Sequence, residues 1–128
     1  MQHQELTHQI LAACFDVSGE LGHGFVESVY RRSLLIALEQ RGIRAKVEVP
    51  LTVRFRGQLV GEFVADMVVE GCVILELKAV RELIPEHQAQ LVNYLNATGI
   101  EVGLLVNFGT PRVEHRRCRP SQTAGAGE

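Results

Sequence analysis

Residues 64 to 78, Val-Ala-Asp-Met-Val-Val-Glu-Gly-Cys-Val-Ile-Leu-Glu-Leu-Lys, constrain the fold more than any other stretch. Each half is rich in Val and Ile, and Glu70-Gly71-Cys72 breaks the run, which predicts two strands joined by a tight turn. Three polar residues interrupt the strands: Asp66, Glu76 and Lys78. Glu76 and Lys78 are two apart and so share a face of their strand. With a loop of residues 70 to 72, Asp66 falls opposite Glu76. Two carboxylates and an amine then meet on a mostly hydrophobic sheet. Close carboxylates resist ionising together, and burying one unpaired costs several kcal/mol. A divalent cation removes both penalties, because hard oxygen donors at short range are what magnesium binds.

The rest of the chain supplies a frame for this hairpin. Leu6, Ile10, Leu11, Ala13, Cys14 and Val17 recur at helical spacing and predict a helix over 4–21, ended by the glycines at 19, 22 and 24. Val26, Val29, Tyr30, Leu34, Ala37 and Leu38 predict a second helix over 25–41, closed by Gly42. Val47, Val49, Leu51, Val53 and Phe55 alternate instead, and Pro50 marks an edge strand or a bulge. Arg56-Gly57-Gln58 turns the chain into Leu59 to Val64. Pro85 opens a third helix to about residue 98, although Ile84 is a poor N-cap. Glu101 to Asn107 reads as a strand buried on both faces, and Arg112 to Cys118 as a last short strand. The order helix, helix, meander, helix, strand predicts an α/β fold with a mixed β-sheet flanked by helices.

At 128 residues the expectation is a single domain over 1–120, with a small, polar, glycine-rich tail over 121–128 that is too poor in apolar groups to fold. No apolar run approaches the roughly 20 residues of a membrane helix, and the N-terminus has no signal-peptide pattern, so no membrane partner and a cytoplasmic location are expected. Cys14, Cys72 and Cys118 form no CxxC pair, and His115 with Cys118 supplies two ligands where zinc needs four. A net charge of −2 argues against a non-specific nucleic-acid binder. The arginines at 112, 116, 117 and 119, and those at 31, 32, 41, 44, 54 and 56, read as a solvated face.

Chemistry follows from the polar residues. Phosphodiester cleavage needs a metal to polarise the phosphate and a cation for the developing charge. Asp66 and Glu76 would hold the metal, and the Leu77 carbonyl could add an oxygen. Lys78 could orient a water or, unlike an arginine, deprotonate it. The bland alternative pairs Lys78 with one of the carboxylates at a sheet edge. Gly24, Glu27 and Tyr30 are three apart and share a helix face, but Glu27 in a first turn is also explained by the helix dipole and by Arg31 four residues on. His87, Gln90 and Tyr94 form a polar stripe beside Leu91, Val92 and Leu95, facing either a cleft or water.

Gly24-Phe-Val-Glu27-Ser-Val-Tyr30 resembles the GxxExxY signature of a family of small bacterial proteins. Phe63-Val-Ala-Asp66, Leu75-Glu76-Leu-Lys78-Ala-Val, His87-Gln-Ala-Gln90-Leu-Val-Asn-Tyr94-Leu and Gly103-Leu-Leu-Val-Asn107-Phe resemble it too, in order, over roughly residues 5 to 115. That family is grouped with the PD-(D/E)xK nuclease-like superfamily. The resemblance implies a restriction-endonuclease-like core and a Mg2+- or Mn2+-dependent nuclease acting on nucleic acid, DNA foremost. It implies Asp66, Glu76 and Lys78 as the metal and catalytic set, with Glu27 as an acid from the preceding helix and a further metal ligand. Gln90 and Tyr94 fit the QxxxY motif of similar nuclease domains, whose helix borders the active site and contacts DNA. A catalytic Gln90 and substrate contacts from Tyr30, His87 and Tyr94 are expected. Ala65 departs from the pattern, standing where the superfamily name has proline. A homodimer is expected by analogy, since small cores need a second copy to enclose a duplex. The competing expectation is a non-catalytic binding or assembly module within a larger complex, and a defence-associated or toxin-like partner is a third.

Overall fold

The computed structural model describes residues 3–121. Helices α1 (Gln4–Leu21) and α2 (Glu27–Gln40) precede strands β1 (Ala45–Phe55), β2 (Gln58–Val69) and β3 (Val73–Lys78). Helix α3 (Pro85–Thr98) and strands β4 (Val102–Asn107) and β5 (Glu114–Cys118) complete the order. The sheet runs β1-β2-β3-β4-β5, antiparallel except for the parallel pair β3/β4. A parallel pair requires a crossover, and α3 provides it. This is the mixed sheet flanked by helices that the apolar periodicity predicts.

The hairpins follow their turn residues. Phe55 faces Gln58 across Arg56 and Gly57, both with positive φ, the two-residue turn whose twist matches paired strands. Val69 faces Val73 across the three-residue loop, in which Glu70 and Gly71 have positive φ. Edge strand β1 accommodates Pro50 and carries a register shift at Val53/Arg54.

Both faces of the sheet are covered. Ile10, Ala13, Cys14 and Val17 of α1 and Tyr30, Leu34 and Leu38 of α2 pack on Met67, Val73, Leu75, Leu77, Leu104 and Val106. On the other face Leu91, Tyr94 and Leu95 of α3 pack on Leu51, Ala65, Ile74, Leu105 and Cys118. Burial pushes the Cys14 thiol up to about 12, which makes it an inert core residue.

Five details differ from the expectations. Helix α2 starts at Glu27, not 25. Gly24 lies before it at φ +129, a conformation that favours glycine, and so shares no helix face with Glu27. Val26, expected in the apolar stripe, is the exposed N-cap. The last strand starts at Glu114 rather than Arg112. Ser121, placed in the tail, exchanges two hydrogen bonds with Asn96, its N–H donating to Oδ1 at 3.1 Å and its hydroxyl accepting from Nδ2 at 2.9 Å. The remaining tail residues, 122–128, lie outside the described residues. No helix among the described residues is long and apolar enough to cross a membrane.

Candidate functional site

The register of the central hairpin, with Met67 opposite Leu75 and Val69 opposite Val73, sets Asp66 opposite Glu76. The backbone ladder stops at Met67, and side chains continue it. Leu77 N–H donates to Asp66 Oδ2 at 2.7 Å, and Asp66 N–H donates to Glu76 Oε2 at 2.9 Å. Each carboxylate thus accepts a backbone N–H from the facing strand, and each is fixed by one oxygen. Asp66 Oδ1 and Glu76 Oε1 accept no hydrogen bond among the described residues. Because the N–H and C=O of a strand residue point to the same edge, the Leu77 carbonyl faces β2 beside them.

Glu76 is only 4% exposed. Burial above all, then the neighbouring Asp66, pushes its carboxyl up to about 7. Glu27 adds to the rise, while the Asp66 N–H and Lys78 oppose it. Lys78 shares the α3 face with Glu76, yet it makes neither an ion pair nor a hydrogen bond through its side chain among the described residues. The bland edge ion pair is therefore not formed.

The backbone after Lys78 is pinned. Phe108 N–H donates to the Lys78 carbonyl at 2.8 Å. Fully buried Asn107, opposite Lys78 in the parallel ladder, clamps Val80: Oδ1 accepts its N–H at 3.0 Å and Nδ2 donates to its carbonyl at 2.9 Å. The same Asn107 reaches Gly109 N–H and Glu114 at 3.0 Å each. A Cβ at Gly109 would sit 2.2 Å from the Val80 carbonyl oxygen, so only glycine lets the two backbones approach. This clamp was not anticipated; a polar Asn closing an apolar strand was its one sequence signal.

The other expected site residues divide. Tyr94 is nearly buried with its ring 5.8 Å from that of Phe63, and burial, then Glu76 and Asp66, raise its hydroxyl. It therefore borders the carboxylates. Gln90 is exposed and lines, with Tyr94, Phe63, Asn93, Thr52 and Arg54, a groove of about 860 Å3 between α3 and the β1/β2 hairpin. His87 accepts the Ile84 N–H on Nδ1 at 3.1 Å, capping the helix start that Ile84 cannot cap with its own side chain. Tyr30, expected to meet substrate, has no exposed surface to do so. Its hydroxyl donates to the Gly22 carbonyl at 2.7 Å and accepts Phe25 N–H at 3.2 Å, and its ring stacks on Phe108 at 4.7 Å. It ties the loop before α2 to the core.

Glu27 is half-buried at the start of α2, near enough to influence Glu76. Its expected partner Arg31 is engaged elsewhere, with Nη1 3.8 Å from Asp66 Oδ1 and Nη2 3.9 Å from Glu48 Oε2. Among the described residues no three His, Cys, Asp or Glu side chains gather into a ready metal cage. Glu27 thus acts on Glu76 as a nearby charge, and among the described residues two carboxylates converge rather than three. A hard divalent cation fits this donor set, which offers two carboxylate oxygens free of hydrogen bonds, one of them facing Arg31, and a carbonyl.

A model of the PD-(D/E)XK nuclease superfamily matches residues 4–118, and the chain belongs to that superfamily. In structure the chain resembles SSO0001, with a TM-score of 0.59 and 20% identity over 92% of this chain and 60% of that one. It also resembles an alkaline exonuclease (LHK-Exo) from Laribacter hongkongensis, with a TM-score of 0.53 and 12% identity over 95% of this chain and 73% of that one. At such identities the likeness is one of fold. This chain spans about three-fifths of SSO0001. No curated protein sequence matches it significantly.

Proposed function

We propose that this chain is a GxxExxY-type, metal-dependent nuclease that hydrolyses phosphodiester bonds of nucleic acid, DNA foremost, in the cytoplasm. The observation that carries the reading is the reciprocal lock of Asp66 and Glu76. Each spends one oxygen on a backbone N–H of the other strand and leaves the second free of hydrogen bonds for a cation, and Lys78, two residues after Glu76, makes no side-chain ion pair or hydrogen bond among the described residues. Membership of a nuclease superfamily and a likeness to an alkaline exonuclease support it.

Asp66, Glu76 and the Leu77 carbonyl would hold Mg2+ or Mn2+, which when bound polarises the phosphate and neutralises charge in the transition state. Burial of Glu76 serves this end, because a carboxylate that ionises reluctantly alone ionises readily beside a cation. Lys78 orients the attacking water and takes or shares its proton, and the Asn107 clamp keeps the segment after Lys78 from drifting. Glu27 adds negative potential that favours the cation. Gln90 and Tyr94 line the groove along which the substrate strand approaches.

The test is cleavage of single- and double-stranded DNA and RNA with Mg2+ or Mn2+ by the wild type, Asp66→Ala and Lys78→Ala. Loss in both variants supports the reading, and activity surviving both overturns it. A second reading, a non-catalytic module that keeps the fold, draws on the absence of a third converging carboxylate among the described residues. It predicts no saturable Mn2+ binding and an unchanged or raised stability in Asp66→Asn. A homodimer belongs to the proposal as well, and light scattering of the pure chain decides it.

A further inference from the structure

Arg31 projects from α2 four residues after Glu27 and carries a side chain that is 20% exposed. Its two ion-pair contacts, 3.8 Å to Asp66 and 3.9 Å to Glu48, are longer than hydrogen bonds. Among the described residues the guanidinium makes no hydrogen bond, and none of its donors is sealed from solvent. A planar fork of donors is thus held beside the site by two long ion pairs, with its hydrogen-bonding capacity unused among the described residues. Such a fork matches the oxygens of a phosphate.

The atom it faces is informative. Leu77 N–H takes Asp66 Oδ2, so the guanidinium stands against Oδ1, the oxygen available to a cation. A metal at that oxygen weakens the attraction of Asp66 for Arg31, since one carboxylate then serves two cations. Glu48, outside the donor set, keeps its hold. Glu48 sits at φ +52, where the β1/β2 ladder passes from Val47↔Met67 to Val49↔Ala65, a strained position for a non-glycine residue. The anchor for Arg31 therefore lies across from Asp66 itself.

We propose that Arg31, steadied by Glu48, binds the non-bridging oxygens of the substrate phosphodiester once a metal engages Asp66. This inference rests on the nuclease reading and adds a substrate-binding residue to it. The test uses the full chain with Arg31→Gln, Arg31→Lys and Glu48→Gln. Labelled DNA and RNA strands are titrated in Ca2+ buffer at several salt concentrations, and Mn2+ binding is measured by calorimetry without nucleic acid.

The expected result is that Arg31→Gln binds the strand about ten- to a hundredfold more weakly and loses about one ion from the salt slope, with undiminished Mn2+ affinity. Arg31→Lys recovers part of the loss, and Glu48→Gln shows a smaller loss of the same kind. Unchanged strand affinity and salt slope in Arg31→Gln overturn the proposal. So does a parallel fall in Mn2+ affinity, which would make Arg31 a prop for Asp66. Should Arg31→Gln fail to fold, Glu48→Gln decides by the same readouts. Absence of saturable Mn2+ binding to the wild type would instead sink the nuclease reading itself.

Discussion

Strand β3 presents Val73, Leu75 and Leu77 to helices α1 and α2, and Ile74, Glu76 and Lys78 to the side of α3. The first face is a continuous apolar core closed by the Tyr30/Phe108 stack. The second is a smaller apolar cluster whose far end holds a carboxyl that burial keeps reluctant to ionise, and a lysine whose side chain makes no ion pair or hydrogen bond among the described residues. One strand therefore serves two ends. Its odd residues and Ile74 stabilise the fold by removing apolar surface from water, whereas Glu76 opposes that stability with a carboxyl buried at a cost. The separation lets the polar face be costly, because the core on the reverse side does not depend on it.

Substitutions on the two faces should have opposite signatures. The largest effect is expected from Lys78→Ala, which lowers the cleavage rate by about 10²- to 10⁴-fold. Its melting temperature should match that of the wild type, since Lys78 makes no ion pair among the described residues; a clear fall in thermal stability would show that the polar face helps hold the fold. On the other face Leu34→Ala removes a fully buried side chain and should cost about 2–5 kcal/mol in urea unfolding, with Mn2+ affinity intact.

Glu76→Gln sharpens the comparison through pH. Its folded-state value of about 7 exceeds the ordinary 4.5, so the metal-free folded chain holds a proton that the unfolded chain has released across that window. Stability contributed by the protonated form is present below about pH 4.5 and is lost as pH rises toward 7, by at most on the order of 3 kcal/mol. Glu76→Gln, which keeps an oxygen for the Asp66 N–H, should flatten that slope and melt higher than the wild type at pH 8 without metal. A wild type whose metal-free stability is level from pH 5 to 8 would contradict this. The smallest effect belongs to Tyr30→Phe, which leaves the Gly22 carbonyl without its donor and should cost about 1 kcal/mol. A raised KM with unchanged stability would return Tyr30 to the substrate surface.

Much of the architecture was legible because periodicity reports burial directly. Ile10, Ala13, Cys14 and Val17 recur at helical spacing, and the same residues line the core face of α1. The pairing of Asp66 with Glu76 followed from loop length, since a three-residue turn leaves one register. Periodicity fails where one side chain serves a remote backbone. The spacing of Tyr30 from Glu27 carries no sign that its hydroxyl closes a loop eight residues back, and Arg31 looked like an ordinary (i, i+4) partner until β1 brought Glu48 beside it. The Asn107 clamp spans 27 residues and depends on a parallel ladder that only α3 makes.

The order of amino acids by itself determined which faces of each helix and strand exclude water, and hence a mixed sheet between helices with two carboxylates and a lysine on one hairpin. Only the tertiary structure decided which oxygens of those carboxylates remain free of hydrogen bonds and where Arg31 stands. Burial is encoded residue by residue, whereas the direction of a hydrogen bond or an ion pair depends on where distant strands diverge.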